Sequence, residues 1–205
     1  MLDTLVSPAQ LADFVPLAER AVSIEATSMI RFRAAEQTVA GFVRLPYEVL
    51  AGRTLAAEPA GPFDTTVAAA DFLRWAEQSG PVPPGKDAHW LSALPPRRGW
   101  RRVDVVPDSV IRDLVRSGAA LAAGTTSRQS QESLLASVVL TAASGHGSAP
   151  EVQVRLGALS ALTRMGFLPR DSEVAIDVAP GWVRVAAAYG STYVSDGNPL
   201  GLMSL

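Results

Sequence analysis

The 205-residue sequence contains no cysteine, a single lysine and only two histidines, His89 and His146. Without cysteine, the chain cannot form disulfides, thiolate nucleophiles, zinc ribbons or iron–sulfur clusters. Two histidines are too few for a histidine-rich metal site, and neither lies in an HExxH pattern. No GxSxG or SxxK motif for serine catalysis is present. The sequence therefore predicts no catalytic, cofactor-binding or metal-binding residue.

Charge and hydropathy exclude two further classes of protein. The formal net charge of -2 excludes a strongly basic protein that coats nucleic acid by charge alone. The longest apolar run, residues 134–143, is too short to span a bilayer. The first residues contain Asp3 and no basic residue before Arg20, which is not typical of a secretory signal. These features predict a soluble cytoplasmic protein with no membrane partner.

The pattern of residues 1–78 predicts an N-terminal helix, antiparallel strands and a second helix. An amphipathic pattern indicates a helix over residues 8 to about 22. Alternating apolar residues indicate a hairpin over residues 27–45 and a third strand over residues 47–57. Asp64 is a candidate N-cap for a helix that ends near residue 78.

Residues 79–103 are rich in proline and contain two tryptophans, Trp90 and Trp100. Such a composition is typical of a connection, and the tryptophans indicate that it is ordered and packed. We therefore predict domains at residues 1–78 and 104–205 with an ordered connection between them. The alternative is one single domain over residues 1–205.

Three helices and a hairpin are predicted in the second half. Apolar faces indicate helices over residues 108–123 and 126–143. A third helix has both ends specified by sequence. It begins at a capping box formed by Ser148 and Glu151, and it ends at Gly166, which suits the left-handed conformation.

After this helix, the apolar period changes from helical spacing to two. Val174, Ile176 and Val178 alternate with other residues before Pro180-Gly181, which indicates a hairpin. A loop of two or four residues places Asp177 opposite Arg184 on one face of the hairpin. Together with the N-terminal strands, this predicts an α+β fold in which antiparallel sheet from an N-terminal hairpin or three-strand unit and a C-terminal hairpin is covered by about five helices.

The main concentration of charge surrounds Trp100. Guanidinium groups bind phosphate in a bidentate manner, and an aromatic ring can stack on a base. The alternative is a solvated loop whose arginines pair with acidic residues of the first half. The candidate anion or nucleic-acid contacts are Arg97, Arg98, Trp100, Arg101 and Arg102.

Between residues 108 and 189, the predicted order of three helices and a hairpin, with GFLPR after the third helix and APGW at the hairpin tip, resembles a winged-helix domain. In that family the third helix enters the major groove of DNA and the wing contacts phosphate. The resemblance implies that DNA would be contacted by Gln153, Arg155, Ser160, Arg164 and Arg184.

We predict a non-enzymatic protein of unknown function that acts through protein contacts, as a homo-oligomer formed through the apolar tail or a sheet edge, with a separate protein partner also open. The first alternative is a winged-helix-like nucleic-acid-binding protein, with a basic strip joining Arg97–Arg102 to Arg155 and Arg164. The second is an enzyme for a small molecule, in which His89 or His146 meets a carboxylate or Ser191 in a deep pocket.

Overall fold

The computed structural model describes residues 7–35, 37–78, 80–124, 127–143 and 151–195. The chain is divided into two compact units, and the change from unit 1 to unit 2 after Ala93 falls within residues 79–103. The predicted boundaries at residues 78 and 104 remain sequence predictions. Unit 1 consists of Met1–Leu45 and Leu50–Ala93, and unit 2 of Pro46–Val49 and Leu94–Leu205.

Unit 1 contains four neighbouring strands in the order β4-β1-β2-β3, in which β1 pairs antiparallel with both β2 and β4. The main helices of this unit, α2 and α3, pack against each other. Its elements in chain order are α1 (Pro8–Leu11), a 3-10 turn (Ala12–Phe14), α2 (Val15–Ile24), β1 (Met29–Ala35), β2 (Thr38–Leu45), β3 (Val49–Ala56), β4 (Phe63–Ala68), α3 (Ala69–Gln78) and a second 3-10 turn (Asp87–His89).

The core of unit 1 is built on aromatic residues from one face of the sheet and from the helices. Phe14, Phe32 and Phe72 are fully buried, with ring centroids 5.3 Å apart between Phe14 and Phe32 and 5.0 Å apart between Phe32 and Phe72. Phe14 also lies over Gly41 of β2, where an added Cβ would be 2.7 Å from the Phe14 ring. A glycine at this point therefore permits the close approach of helix and sheet.

Unit 2 contains four neighbouring strands in the order β10-β9-β8-β5 and a separate two-stranded sheet, β6-β7. Its core joins α4 and α6 to the sheet through fully buried aliphatic side chains, including Ile111, Leu159, Leu162 and Ile176. The elements are β5 (Arg101–Pro107), α4 (Asp108–Ala123), α5 (Arg128–Ala136), β6 (Val138–Ala142), β7 (Val152–Arg155), α6 (Leu156–Arg164), β8 (Glu173–Ala179), β9 (Trp182–Ala187) and β10 (Gly190–Ser195).

The predicted α+β class is confirmed, with antiparallel sheet and five helices of at least nine residues in the part of the chain that the structure describes. The C-terminal hairpin has the predicted register, in which Asp177 faces Arg184 and Ile176 faces Val185. The end of α6 is also as predicted. Gly166 has a φ of 65°, and the Phe167 N–H donates to the Leu162 carbonyl at 3.1 Å.

Two predicted helices of the second half are wrong in part. The helix predicted over residues 126–143 ends at Ala136, and Val138–Ala142 forms β6. The third helix begins at Leu156 instead of Glu151, because Val152–Arg155 forms β7 and pairs with β6. A short segment of alternating burial cannot be distinguished from half a helical stripe by periodicity alone. The proposed cap at Ser148 lies outside the described residues.

Besides β6 and β7, three strands were not predicted, namely β4, β5 and β10. Residues 63–68 form β4, so Asp64 lies within a strand and does not cap a helix. Residues 101–107 form β5, at the end of the segment predicted as a connection. The winged-helix resemblance is also wrong, because β6 and β7 separate the second and third helices and the hairpin pairs with two further strands, β5 and β10. Gln153 and Arg155 consequently lie on a strand and not on a recognition helix.

Candidate functional site

Trp100 and Arg102, two members of the predicted arginine–tryptophan cluster, lie on the sheet face of unit 2 that is opposite the helices. The strand register places Tyr193, Arg184, Asp177 and Arg102 side by side across β10, β9, β8 and β5. Neighbouring positions on the other face, such as Ile176, belong to the helix-covered core. We call these four residues and Trp100 the outer-face row.

Asp177 is the centre of the outer-face row. Its side chain is only 3% exposed, and it accepts hydrogen bonds from Arg102 Nε at 3.1 Å and from Arg184 Nε at 3.0 Å and Nη2 at 2.9 Å. The Arg184 guanidinium carbon lies 4.4 Å from the centroid of the Trp100 ring. The Trp100 indole N–H donates to the Pro96 carbonyl at 2.9 Å. This arrangement neutralises a buried carboxylate and fixes Trp100.

The remaining members of the predicted cluster, Arg97, Arg98 and Arg101, are exposed. Arg102 and Trp100 are held by contacts within the fold. The proposed anion or nucleic-acid contact at Arg97–Arg102 remains a prediction. The predicted continuous strip to Arg155 is wrong, because Arg155 lies against core-face residues such as Val185, on the other side of the sheet from Arg102.

A groove of about 240 Å³ lies within unit 2, on the helix side of its sheet. Apolar groups form most of its lining, and charged groups stand at its edge. A smaller cavity of about 50 Å³ adjoins it and shares Arg155, Ala158 and Val194 with it. The groove is lined by Tyr47, Glu48, Val49, Glu132, Leu135, Ala136, Arg155, Gly157, Ala158 and Val194.

The turn between β2 and β3 supplies one edge of the groove in a strained conformation. Tyr47 has a φ of 65° and Glu48 a φ of 59°, values that side chains other than glycine rarely adopt. Tyr47 is also 44% exposed. Backbone strain of this kind is found preferentially at binding sites. Sequence reasoning missed the groove, since only Arg155 of its residues had been considered as a contact.

The electrostatics of the groove edge are mixed. Glu132 is paired with Arg128 at 2.9 Å. Glu48 and Arg155 have no ionic partner among the residues that the structure describes. The groove can therefore accept an apolar segment that carries one negative charge next to Arg155.

Of the residues considered for catalysis, the two that the structure describes belong to different units. His89 is exposed and belongs to unit 1, whereas Ser191 lies on β10 in unit 2. His146 lies outside the described residues. No three His, Asp or Glu side chains are grouped as metal ligands within the described ranges. The described helices include none that is long and apolar enough to cross a membrane.

The fold resembles that of DNA polymerase sliding clamps. The sliding clamp of Bacillus subtilis has a TM-score of 0.61 at 16% identity, over 96% of this chain and 65% of that chain. The DNA polymerase III subunit beta of Pseudomonas aeruginosa has a TM-score of 0.61 at 14% identity, over 91% and 63%. A Caulobacter crescentus beta sliding clamp, with polyethylene glycol bound to a region described as a candidate for β-motif tethering, has a TM-score of 0.57 at 15% identity, over 93% and 63%.

At these identities the likeness shows the fold alone, and the chain spans less than two thirds of the length of these clamps. Residues 95–199 match a family described as a domain of unknown function, DUF8185. Because this match covers just over half of the sequence, the chain belongs to that family. Residues 4–92 match a second domain of unknown function, DUF8010. No curated protein matches the sequence.

Proposed function

We propose that this chain is a non-enzymatic scaffold of sliding-clamp fold that holds a protein partner by a short apolar segment bound in the groove of unit 2. The observation that carries the proposal is the groove itself, with its apolar lining and its strained edge at Tyr47 and Glu48. Its volume of about 240 Å³ is below the range of roughly 300–1,000 Å³ that is typical of small-molecule sites. A space of this size suits a few side chains of a peptide.

The comparisons support a role in protein contact. The Caulobacter crescentus clamp holds polyethylene glycol at a region associated with tethering. By analogy, the present chain would act as a platform in the cytoplasm. Self-association is part of this proposal, and the exposed side chains of Leu121 and Val138 on unit 2 are candidates for contacts between copies.

The free edge of β5 is a poor candidate for pairing with another strand. Asp104 Oδ1 accepts from the Val105 backbone N–H at 2.8 Å, which occupies a donor that an added strand would need. Pro107, two residues later, has no backbone N–H to donate. Self-association through side-chain surfaces is therefore favoured over extension of this sheet.

Nucleic-acid binding is less well supported. Arg97, Arg98 and Arg101 are exposed, whereas Arg102 is bonded to Asp177. Three exposed cations in a chain of net charge -2 provide few phosphate contacts. A gel-shift series with duplex and single-stranded oligonucleotides, from low to moderate salt, separates the two proposals. Salt-sensitive binding that is lost on R97E/R101E would favour nucleic acid over a protein partner.

The groove proposal is tested with a pair of matched substitutions. Ala136 and Ala123 are the exposed last residues of α5 and α4, but only Ala136 lines the groove. Ala136→Trp should fill the groove, whereas Ala123→Trp adds the same ring elsewhere. Short peptides selected from a random library on the full chain should bind Ala136→Trp at least roughly tenfold more weakly, equivalent to about 1.4 kcal/mol, by fluorescence polarisation. Equal affinities for the two variants would exclude the groove as the site.

A further inference from the structure

The end of β10 lies at the wall of the groove. Val194 lines both the groove and the smaller cavity, and Ser195 lines the smaller cavity. The described residues end at Ser195, and ten more residues follow in the sequence. These ten residues therefore start beside the groove and need almost no linker to reach it.

The sequence of this tail matches the groove in polarity. Asp196-Gly197-Asn198-Pro199 is a combination typical of a turn, which can reverse the chain after β10. The next residues, LGLMSL, carry four large apolar side chains and no charged side chain. An apolar segment that follows a turn suits the apolar lining of the groove better than open solvent.

The charge of the tail also complements the charge at the groove. Arg155 lines the smaller cavity together with Ser195, and it has no ionic partner among the residues that the structure describes. Asp196, the only acidic residue of the tail, follows Ser195 directly. An ion pair between Asp196 and Arg155 would fix the start of the tail at the groove.

Because the tail is covalently attached to unit 2, even weak binding gives a high occupancy of the groove. A segment joined by a short flexible linker has an effective concentration on the order of millimolar. A free peptide with a Kd of about 0.1 mM would therefore occupy the groove for roughly nine tenths of the time when attached, for about 5.5 kcal/mol of binding free energy. Burial of two leucine or methionine side chains supplies free energy of this order, at roughly 1.5 to 3 kcal/mol each.

We infer that residues Pro199–Leu205 of the chain occupy the groove of unit 2 in the same molecule, and that a protein partner must displace them to bind. This inference rests on the proposed function, because it concerns a segment of the same chain that competes with the protein partner for the groove. The tail is thus an internal inhibitor that sets a threshold of affinity for partners.

The test uses the full chain and a fluorescein-labelled peptide with the sequence of residues 195–205. In the wild type the groove is filled, whereas L202D/M203D should release it, because two carboxylates in an apolar groove are strongly unfavourable. The peptide should bind L202D/M203D at least tenfold more tightly than it binds the wild type. Adding Ala136→Trp should abolish this gain, and adding Ala123→Trp should leave it unchanged.

The ion pair has its own control. Arg155→Glu should weaken binding of the peptide to L202D/M203D, and a peptide with Arg in place of Asp196 should restore it. Recovery by the charge swap distinguishes a direct pair from general damage to the groove.

The outcomes separate the two proposals. Equal binding of the peptide to wild type and to L202D/M203D, or no binding to either, would overturn the inference. If library-selected peptides still bind more weakly after Ala136→Trp than after Ala123→Trp, the proposed function stands without the tail. If the two substitutions have the same effect on these peptides, both proposals fail. Light scattering decides between one molecule and two, since a dimer that is lost in L202D/M203D would mean that the tail binds a second copy and not its own groove.

Discussion

Units 1 and 2 share a common set of two helices and four strands in a different chain order. Each has a helix followed by a three-strand meander, β1-β2-β3 after α2 and β8-β9-β10 after α6. Each also has an edge strand followed directly by a helix, β4-α3 and β5-α4, and this edge strand pairs with the first strand of the meander. In unit 1 the strand–helix pair follows the meander, and in unit 2 it precedes it. The architecture is therefore defined by which elements are neighbours and not by their order in the chain.

The joint between edge strand and helix has the same backbone hydrogen bond in both units. The N–H of Ala69, the first residue of α3, donates to the Ser28 carbonyl at 2.9 Å, and the N–H of Asp108, the first residue of α4, donates to the Ser172 carbonyl at 2.9 Å. Both serines stand immediately before the first strand of a meander. Each joint thus provides a partner for one of the N–H groups that a helix start leaves unpaired.

The difference between the units is what creates the candidate site. Unit 2 has three additional elements, α5, β6 and β7, between its two main helices. Leu135 and Ala136 of α5 and Arg155 of β7 line the groove. The described part of unit 1 has no such insertion between its helix pair. A shared framework with one insertion therefore places the proposed function in unit 2.

The largest expected difference between the units concerns their ion pairs. Asp177 is 3% exposed and forms ion pairs with two arginines, whereas Asp64 is 41% exposed and forms an ion pair with Arg31. Asp177→Ala leaves Arg184 partly buried without its partner, and we expect a loss of roughly 3 kcal/mol in the free energy of unfolding. Asp64→Ala should cost about 0.5 kcal/mol. Urea unfolding measures both, with the exposed Asp113 as the control position, and equal losses at Asp177 and Asp64 would contradict the comparison.

A smaller difference is expected at the tryptophans. The Trp100 ring lies 4.4 Å from the Arg184 guanidinium carbon, whereas Trp90 lies 5.9 Å from that of Arg31. In double-mutant cycles with Leu for Trp and Met for Arg, we expect a coupling of about 1 kcal/mol for Trp100 with Arg184 and about half of that for Trp90 with Arg31. A larger coupling in unit 1 would show that ring distance does not set the strength of these contacts.

The smallest expected effect depends on pH and distinguishes the two joints. A hydrogen bond from Arg112, together with backbone N–H groups of Ser172 and Ser109, lowers the pKa of Asp108 below its ordinary value. Folding therefore favours the ionised form, and this stabilisation is present above a pH of roughly 4 and is lost as the pH falls through the lower folded value. Asp108→Asn should be less stable than the wild type at neutral pH and approach it in acid. Urea midpoints between neutral pH and acid measure this, and a constant difference would contradict it.

Two of the strands that sequence reasoning missed, β4 and β5, are edge strands. β4 contains Asp64, Thr65 and Thr66, and the Thr66 N–H donates to Asp87 Oδ1 at 2.5 Å instead of to another strand. β5 begins with two arginines and has an irregular register between Arg102 and Asp104. An edge strand tolerates polar residues and bulges, so its alternation is weak, whereas β8 and β9 were predicted to the residue pair.

By itself, the sequence determined the α+β class, the N-terminal strands, the C-terminal hairpin with Asp177 opposite Arg184, and the helix end at Gly166. These features depend on neighbours within a few residues, through side-chain period, turn residues and caps. Only the tertiary structure decided that Arg102 belongs to the fold, and that a groove forms from segments near residues 47, 135, 155 and 194. Such contacts depend on which distant segments the packed core brings together, and no local pattern carries that information.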